Sequence, residues 1–268
     1  NDIGLQVSWL APTSSYLMFG AEVFQGNNEV LFPYIGEGEA VHNGTGSDPA
    51  GGEPFSTGLS DFHGPRVGIG WLKWAPNLWG PHAMMVGASF GTGKRQENHG
   101  DNHWLEGTGR FWGVDFVYKY DSPQAYGKGD WQVQGEYIRR TNDSELVRHD
   151  NDPPWFASRV NRVDVQDGYY VEAVYGFAPR WRAGLRWEQV GLANRSQRPN
   201  PADLREYDAT SRISLMTDFN YSEFSRLRFG VGYGRYETLH DSVLDTERLW
   251  DAQVQLVVML GHHPAHKF

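Results

Sequence analysis

The chain has 268 residues, 32 glycines, 14% aromatic residues, no cysteine and a net charge of −9, with a mean hydropathy of −0.58. Without cysteine there is no disulfide framework and no thiolate metal site, and the acidic balance with scattered basic residues argues against nucleic acid as a partner. No stretch approaches the roughly 18 consecutive apolar residues of a membrane helix, and the length suits one β domain of about 200–250 residues.

Period-two alternation predicts eleven strands, near 3–10, 16–25, 66–74, 82–91, 110–120, 130–141, 168–177, 180–190, 208–219, 224–237 and 247–260. The later ones are the clearest. Tyr169, Val171, Ala173, Tyr175 and Phe177 share one parity while Glu172 and Gly176 hold the other. Trp181, Ala183, Leu185 and Trp187 then alternate with Arg182, Gly184, Arg186 and Glu188. Leu227, Phe229, Val231 and Tyr233 alternate with Arg226, Arg228, Gly230 and Gly232, and Trp250, Ala252, Val254, Leu256 and Val258 with Asp251, Gln253 and Gln255. Strands that cancel their own hydropathy in this way suit a wall between lipid and water. No fixed-period repeat and no interdomain linker is visible.

The connections alternate in length along the chain: 11–15 is short and 26–65 long, 75–80 short and 92–109 long, 121–129 short and 142–167 long. The pair 178–179 is short and 191–207 long, and 220–223 is short before 238–246. Tight turns at one end and long loops at the other are the asymmetry of outer-membrane barrels, with turns in the periplasm and loops outside. A soluble sandwich shares the composition but has no reason to sort its loops. The expectation is an all-β fold, a transmembrane antiparallel up-and-down β-barrel over residues 1–268 in the outer membrane of a Gram-negative bacterium. Its partners are then outer-membrane lipid, lipopolysaccharide and the barrel assembly machinery, for which Phe268 at the end of the chain is the insertion signal. Counting back from a periplasmic Phe268 places Asn1 outside, whereas single-chain bacterial barrels have even strand numbers. The parity predicts either N-terminal strands beyond this chain, 12–16 in the complete barrel, or a strand overlooked within 26–64.

Four stretches carry a family resemblance: residues 4–13 (GLQVSWLAPT), 178–186 (APRWRAGLR), 222–228 (SEFSRLR) and the tail 260–268 (LGHHPAHKF). They resemble the proteins labelled zinc-regulated TonB-dependent outer-membrane receptor-like, which are themselves similar to phosphate-selective porins. The resemblance implies a barrel with further strands ahead of residues 4–13 and porin-like diffusion; no plug domain or TonB-box-like segment accompanies it here.

If the apolar parity faces lipid, the opposite parity lines the path of a solute. Its basic members are Lys119, Arg140, Arg182, Arg186, Arg212, Arg226 and Arg228, and its acidic ones Glu22, Asp115, Glu136, Glu172, Glu188, Asp218 and Asp251. Arg182, Arg186, Arg226 and Arg228 on neighbouring strands form a ladder that attracts anions, unless the interleaved carboxylates pair with them. Arg is expected to be costly at Val171, Leu185, Phe229, Val231 or Val254 and better tolerated at Gly232 or Gln253. A Zn²⁺ site is the one cofactor the sequence offers, with His99, Asp101 and His103 in a long loop as ligands, and with His262, His263 and His266 near the tail as a second cluster. Trp9, Trp71, Trp74, Trp79, Trp131, Trp181 and Trp250 read as membrane-interface girdles, and Trp104 and Trp155 as loop residues. The functional expectation is a passive channel for small hydrophilic solutes or ions. A structural or adhesive barrel with a blocked lumen is the alternative, and a barrel-embedded enzyme stands third because the strands offer few His, His82 lying beside a turn.

Overall fold

The computed structural model describes residues 2–26, 64–98, 103–149, 157–222, 224–240 and 243–259. Within them lie thirteen strands: β1 Gly4–Leu10, β2 Tyr16–Phe24, β3 Val67–Ala75, β4 His82–Asn98, β5 His103–Tyr120, β6 Trp131–His149, β7 Ala157–Ala178, β8 Trp181–Val190, β9 Arg195–Gln197, β10 Arg205–Glu206, β11 Thr210–Ser222, β12 Ser225–His240 and β13 Val243–Val258. Eleven of them form one antiparallel meander in the order β1 to β8, then β11, β12 and β13. Each of the eleven sequence-predicted strands is present. β9 and β10 make a small hairpin that pairs with β7.

Register joins the apolar residues into continuous rows across the sheet. One runs Ala173↔Leu185↔Leu215↔Val231↔Ala252, and another Trp74↔Val86↔Phe116↔Gly135↔Val171↔Trp187↔Ile213↔Tyr233↔Trp250. Most of these side chains stand exposed: Leu215 is 60% accessible, Val231 49% and Trp250 73%. A soluble protein does not leave an apolar face of this extent open to water. Aromatics close the face at both ends. Toward the tight turns, Tyr118 packs on Trp131 with ring centroids 4.8 Å apart and Trp181 on Phe219 at 4.8 Å. Toward the long connections, Trp112 meets Tyr137 at 5.2 Å and Tyr233 meets Trp250 at 4.7 Å. His82 belongs to the first group, its Nδ1 2.6 Å from the Tyr118 hydroxyl. From Trp112 to Tyr120 is eight residues, about 26 Å along a strand at roughly 3.3 Å per residue and about 20 Å of depth at a tilt of about 40°.

Four strands run well beyond their expected ends. The ladder β4–β5 continues from Thr92↔Arg110 to Asn98↔Trp104, and β6–β7 from Asn142↔Asp164 to His149↔Ala157. Much of what reads as long loops, 92–109 and 142–167, is therefore a pair of projecting two-stranded ribbons. His103 and Trp104 belong to strand β5 rather than to a loop. The ribbons are invisible to alternation because Lys94, Arg95, Gln96 and Glu97 are polar on both faces, while the backbone ladder that holds them does not depend on side-chain pattern. Where ribbons and hairpin meet, Leu105, Asn142, Ser144 and Val165 are buried, and Arg162 donates to Asp164 at 2.8 Å and to Ser196 at 3.1 Å.

The sheet is open among the described residues. β1 and β13 are its edges, and both run from the long-connection rim toward the turn rim.

Candidate functional site

The face opposite the apolar rows carries the charge. Strand pairing puts Lys119, Arg140, Arg182, Arg186, Arg212, Arg226, Arg228, Glu22, Asp115, Glu136, Glu172, Glu188, Asp218 and Asp251 all on this one face, with rows such as Asp115↔Glu136↔Tyr170↔Glu188↔Arg212 and Glu172↔Arg186↔Ser214↔Gly232↔Asp251. Trp71 belongs here too. It shares its parity with Ile69 and Lys73, lies flat over Gly20 where any Cβ would strike its ring, and donates from Nε1 to Glu22 at 2.9 Å. It is a wall residue, not a girdle residue, because at this end of β3 Gly68 and Gly70 occupy the apolar face while Val67, Ile69 and Trp71 take the other, Leu72 and Trp74 joining the apolar face further along.

The guanidinium groups expected to form a ladder are mostly paired. Asp218 stands in register with both Arg182 and Arg228. Arg228 takes it by a two-pronged contact, Nε and Nη2 donating at 2.7 and 2.8 Å, while Arg226 lies at 3.9 Å. Charge-assisted, bidentate bonds of this kind are the strong ones, and the Asp218 side chain is only 4% accessible. Arg186 donates to Glu188 at 2.6 Å, lies 3.9 Å from Glu172 and caps the Tyr170 ring at 4.1 Å. Glu172 also accepts from Gln134 at 3.1 Å. Arg212 reaches over β12 to Asp251, Nη2 donating to both carboxylate oxygens at 2.7 and 2.8 Å. The strand between them is glycine at 232, where a Cβ would stand 2.5 Å from Asp251 Oδ2 and 2.6 Å from Arg212 Nη2. A side chain at Gly232 would therefore have to displace the tips of Asp251 and Arg212. Nearer the ribbons, Arg140 donates to Gln166 at 2.6 Å.

Arg182 and Lys119 differ from the rest. Among the described residues neither has a carboxylate within ion-pair distance, and both line a 340 Å³ cavity at the turn end of the face, together with Asp121, Asp130, Asp218 and Arg226. A second cavity of 330 Å³ lies beside it between Glu172, Arg186, Arg212 and Asp251. Sequence reasoning assigned these residues to a common face but not to their partners, because pairing depends on which strands touch and in what register. The inward placement of the turn 121–130 had no sequence signal beyond its three glycine and proline residues.

His99, Asp101, His262, His263, His266, Trp155 and Phe268 lie outside the described residues. Among those described there is no group of three or more His, Asp or Glu placed to hold a metal ion.

No family model matches the chain. A protein of Aquifex aeolicus (strain VF5), described as uncharacterized, is similar at 28% identity over 279 residues, taking in 99% of this chain and 51% of that protein. The chain thus spans about half the length of the curated relative it matches. Among solved structures, the crystal structure of the Pseudomonas putida toluene transporter TodX aligns over 86% of this chain and 68% of that chain, at 9% sequence identity and a TM-score of 0.39.

Proposed function

We propose that the chain forms the wall of an outer-membrane β-barrel that conducts small hydrophilic solutes or ions passively. One observation carries the reading. A sheet with a continuous exposed apolar face, bracketed by aromatics at both ends, has a charged face directly behind it. In lipid the first face is buried and the second encloses water. The turn rim is then periplasmic, and the ribbons of β4–β5 and β6–β7 project outside the cell. Because Arg186, Arg212 and Arg228 are each matched by a carboxylate, the field along the wall is largely neutralised, which supports weak rather than steep ion selectivity.

Strand direction limits how this wall would close. β1 and β13 run the same way, so an antiparallel seam takes an odd number of further strands and gives an even total, 12, 14 or 16 being the small solutions. The test is electrical. The full-length protein in a planar bilayer gives stepwise single-channel currents if it is an open pore. A folded protein that inserts and stays silent is a structural barrel with a blocked lumen, and the channel reading is then wrong.

A further inference from the structure

The connection between β5 and β6 is the longest of the tight turns, and it does not hang free of the sheet. Gly176, on the polar face of β7, is covered by the turn: a Cβ there would run into the Gly127 carbonyl oxygen. Gly129 N–H donates to the Gly176 carbonyl at 2.6 Å, and Gly176 N–H to the Asp130 carbonyl at 2.8 Å. Across the next hairpin, Arg180 N–H donates to the Tyr126 carbonyl at 2.9 Å, and the Arg180 guanidinium stacks on the Tyr126 ring at 4.8 Å. Arg182 from the polar face of β8 completes the contact, its Nη2 only 3.4 Å from where a Cβ on Gly127 would stand. Inside the turn, Asp130 Oδ1 accepts from Ser122 N–H at 2.8 Å. The chain bends inward through left-handed backbone at Tyr126 (φ 59°), Gly127 (φ 73°) and Gly129 (φ 84°). A tyrosine held at positive φ is unfavourable and persists because these anchors fix it.

From this we infer that residues 121–130 form a shelf across the periplasmic mouth of the channel, narrowing the path below the cavity lined by Lys119, Arg182, Asp218 and Arg226. The inference rests on the channel reading and adds to it the place where solute size is judged. Four of the five tight connections are short, at 11–15, 76–81, 179–180 and 223–224. The shelf alone has the length to fold back, and at Gly176 on β7 it covers a glycine that leaves room for it.

The experiment compares single-channel conductance of the full-length protein with that of two variants. In one, residues 123–128 are replaced by Asn-Gly, a two-residue turn that needs no support from the wall; in the other, Gly176→Val fills the space of the Gly127 carbonyl. Both are expected to raise conductance about twofold or more, since a pore is limited by its narrowest section. If Gly176→Val fails to fold, the shortened turn carries the test. A conducting wild type matched by an equally conducting shortened variant overturns the shelf and leaves the channel standing. A silent wild type that conducts once the turn is shortened overturns passive conduction by the native chain and supports the shelf as what blocks its lumen. Silence from both overturns shelf and channel together.

Discussion

Replacing Val231 by Arg tests the assignment of the two faces directly. Val231 is 49% accessible, stands in register between Leu215 and Ala252, and lies between Leu227 and Tyr233, the residues that mark the two aromatic ends on β12. The midpoint of that interval is Gly230, so Val231 is one residue off centre, about 2.5 Å in depth at roughly 3.3 Å per residue and a tilt of about 40°. A guanidinium there meets hydrocarbon and cannot snorkel cheaply to either interface, and the expected loss is about 2–4 kcal/mol. At about 1.4 kcal/mol per decade this is a change of roughly 30-fold to several hundred-fold in the folding equilibrium. Gln253→Arg is the control: it lies on the opposite face of β13, next to Gly230, and the expected change is within about 0.5 kcal/mol. Gly232 is unsuitable as a control because its site is filled by the Arg212–Asp251 pair. Reversible denaturant unfolding in lipid vesicles, followed by tryptophan fluorescence, gives both values. Equal losses at Val231 and Gln253 would refute the lipid assignment of the apolar rows.

Two further predictions concern orientation and the charged wall. Single cysteines at Asn43, Asn98, Asp150, Asn200 and Ser242 are expected to react with an impermeant thiol reagent on whole cells, and those at Pro12, Asn77, Gln124 and Ser222 to stay unlabelled, the native chain having no cysteine to interfere; the reverse pattern inverts the topology. For Asp218 and Arg228, a double-mutant cycle with Asn and Gln is expected to show coupling of about 1–3 kcal/mol, with Arg228→Gln alone more damaging than the double variant because it strands a buried carboxylate; additive effects would mean that the pair is not formed in the membrane.

The strands were legible wherever the two environments differ sharply. Around Tyr169 to Phe177 and Trp181 to Glu188 every second residue is apolar because lipid selects one face, and the predicted boundaries fall within three residues of those observed at the turn ends. Legibility fails in the ribbons, where Arg95, Gln96 and Ser144 are buried although polar, so that no apolar parity marks a covered face. Trp71 shows another limit: an indole satisfies either an interface or a wall with a hydrogen-bond acceptor, and only the register that brings Glu22 and Gly20 beside it decides. The common parity of Arg182, Arg186, Arg226 and Arg228 was readable, but their charge state as a group was not. Asp218 is 36 residues from Arg182 and ten from Arg228, and only the β8–β11–β12 register makes all three neighbours.

The edges set a condition on any barrel built from this sheet. Along an edge strand alternate residues turn both N–H and C=O outward, so the eight-residue interval from Trp250 to Val258 presents about four donors and four acceptors to lipid on β13 alone. At several kcal/mol for each unsatisfied group in hydrocarbon, an open edge costs tens of kcal/mol, more than a whole domain has to lose. The seam must therefore be paired. Direct pairing of β1 with β13 joins strands of the same direction, and a second copy inserted with the same orientation offers only edges of that direction as well. Both routes yield parallel seams, whose slanted bonds the antiparallel meander uses nowhere else. An odd number of intervening strands satisfies both edges with the antiparallel ladder already present throughout β1 to β13, and a barrel closed in that way has an even number of strands.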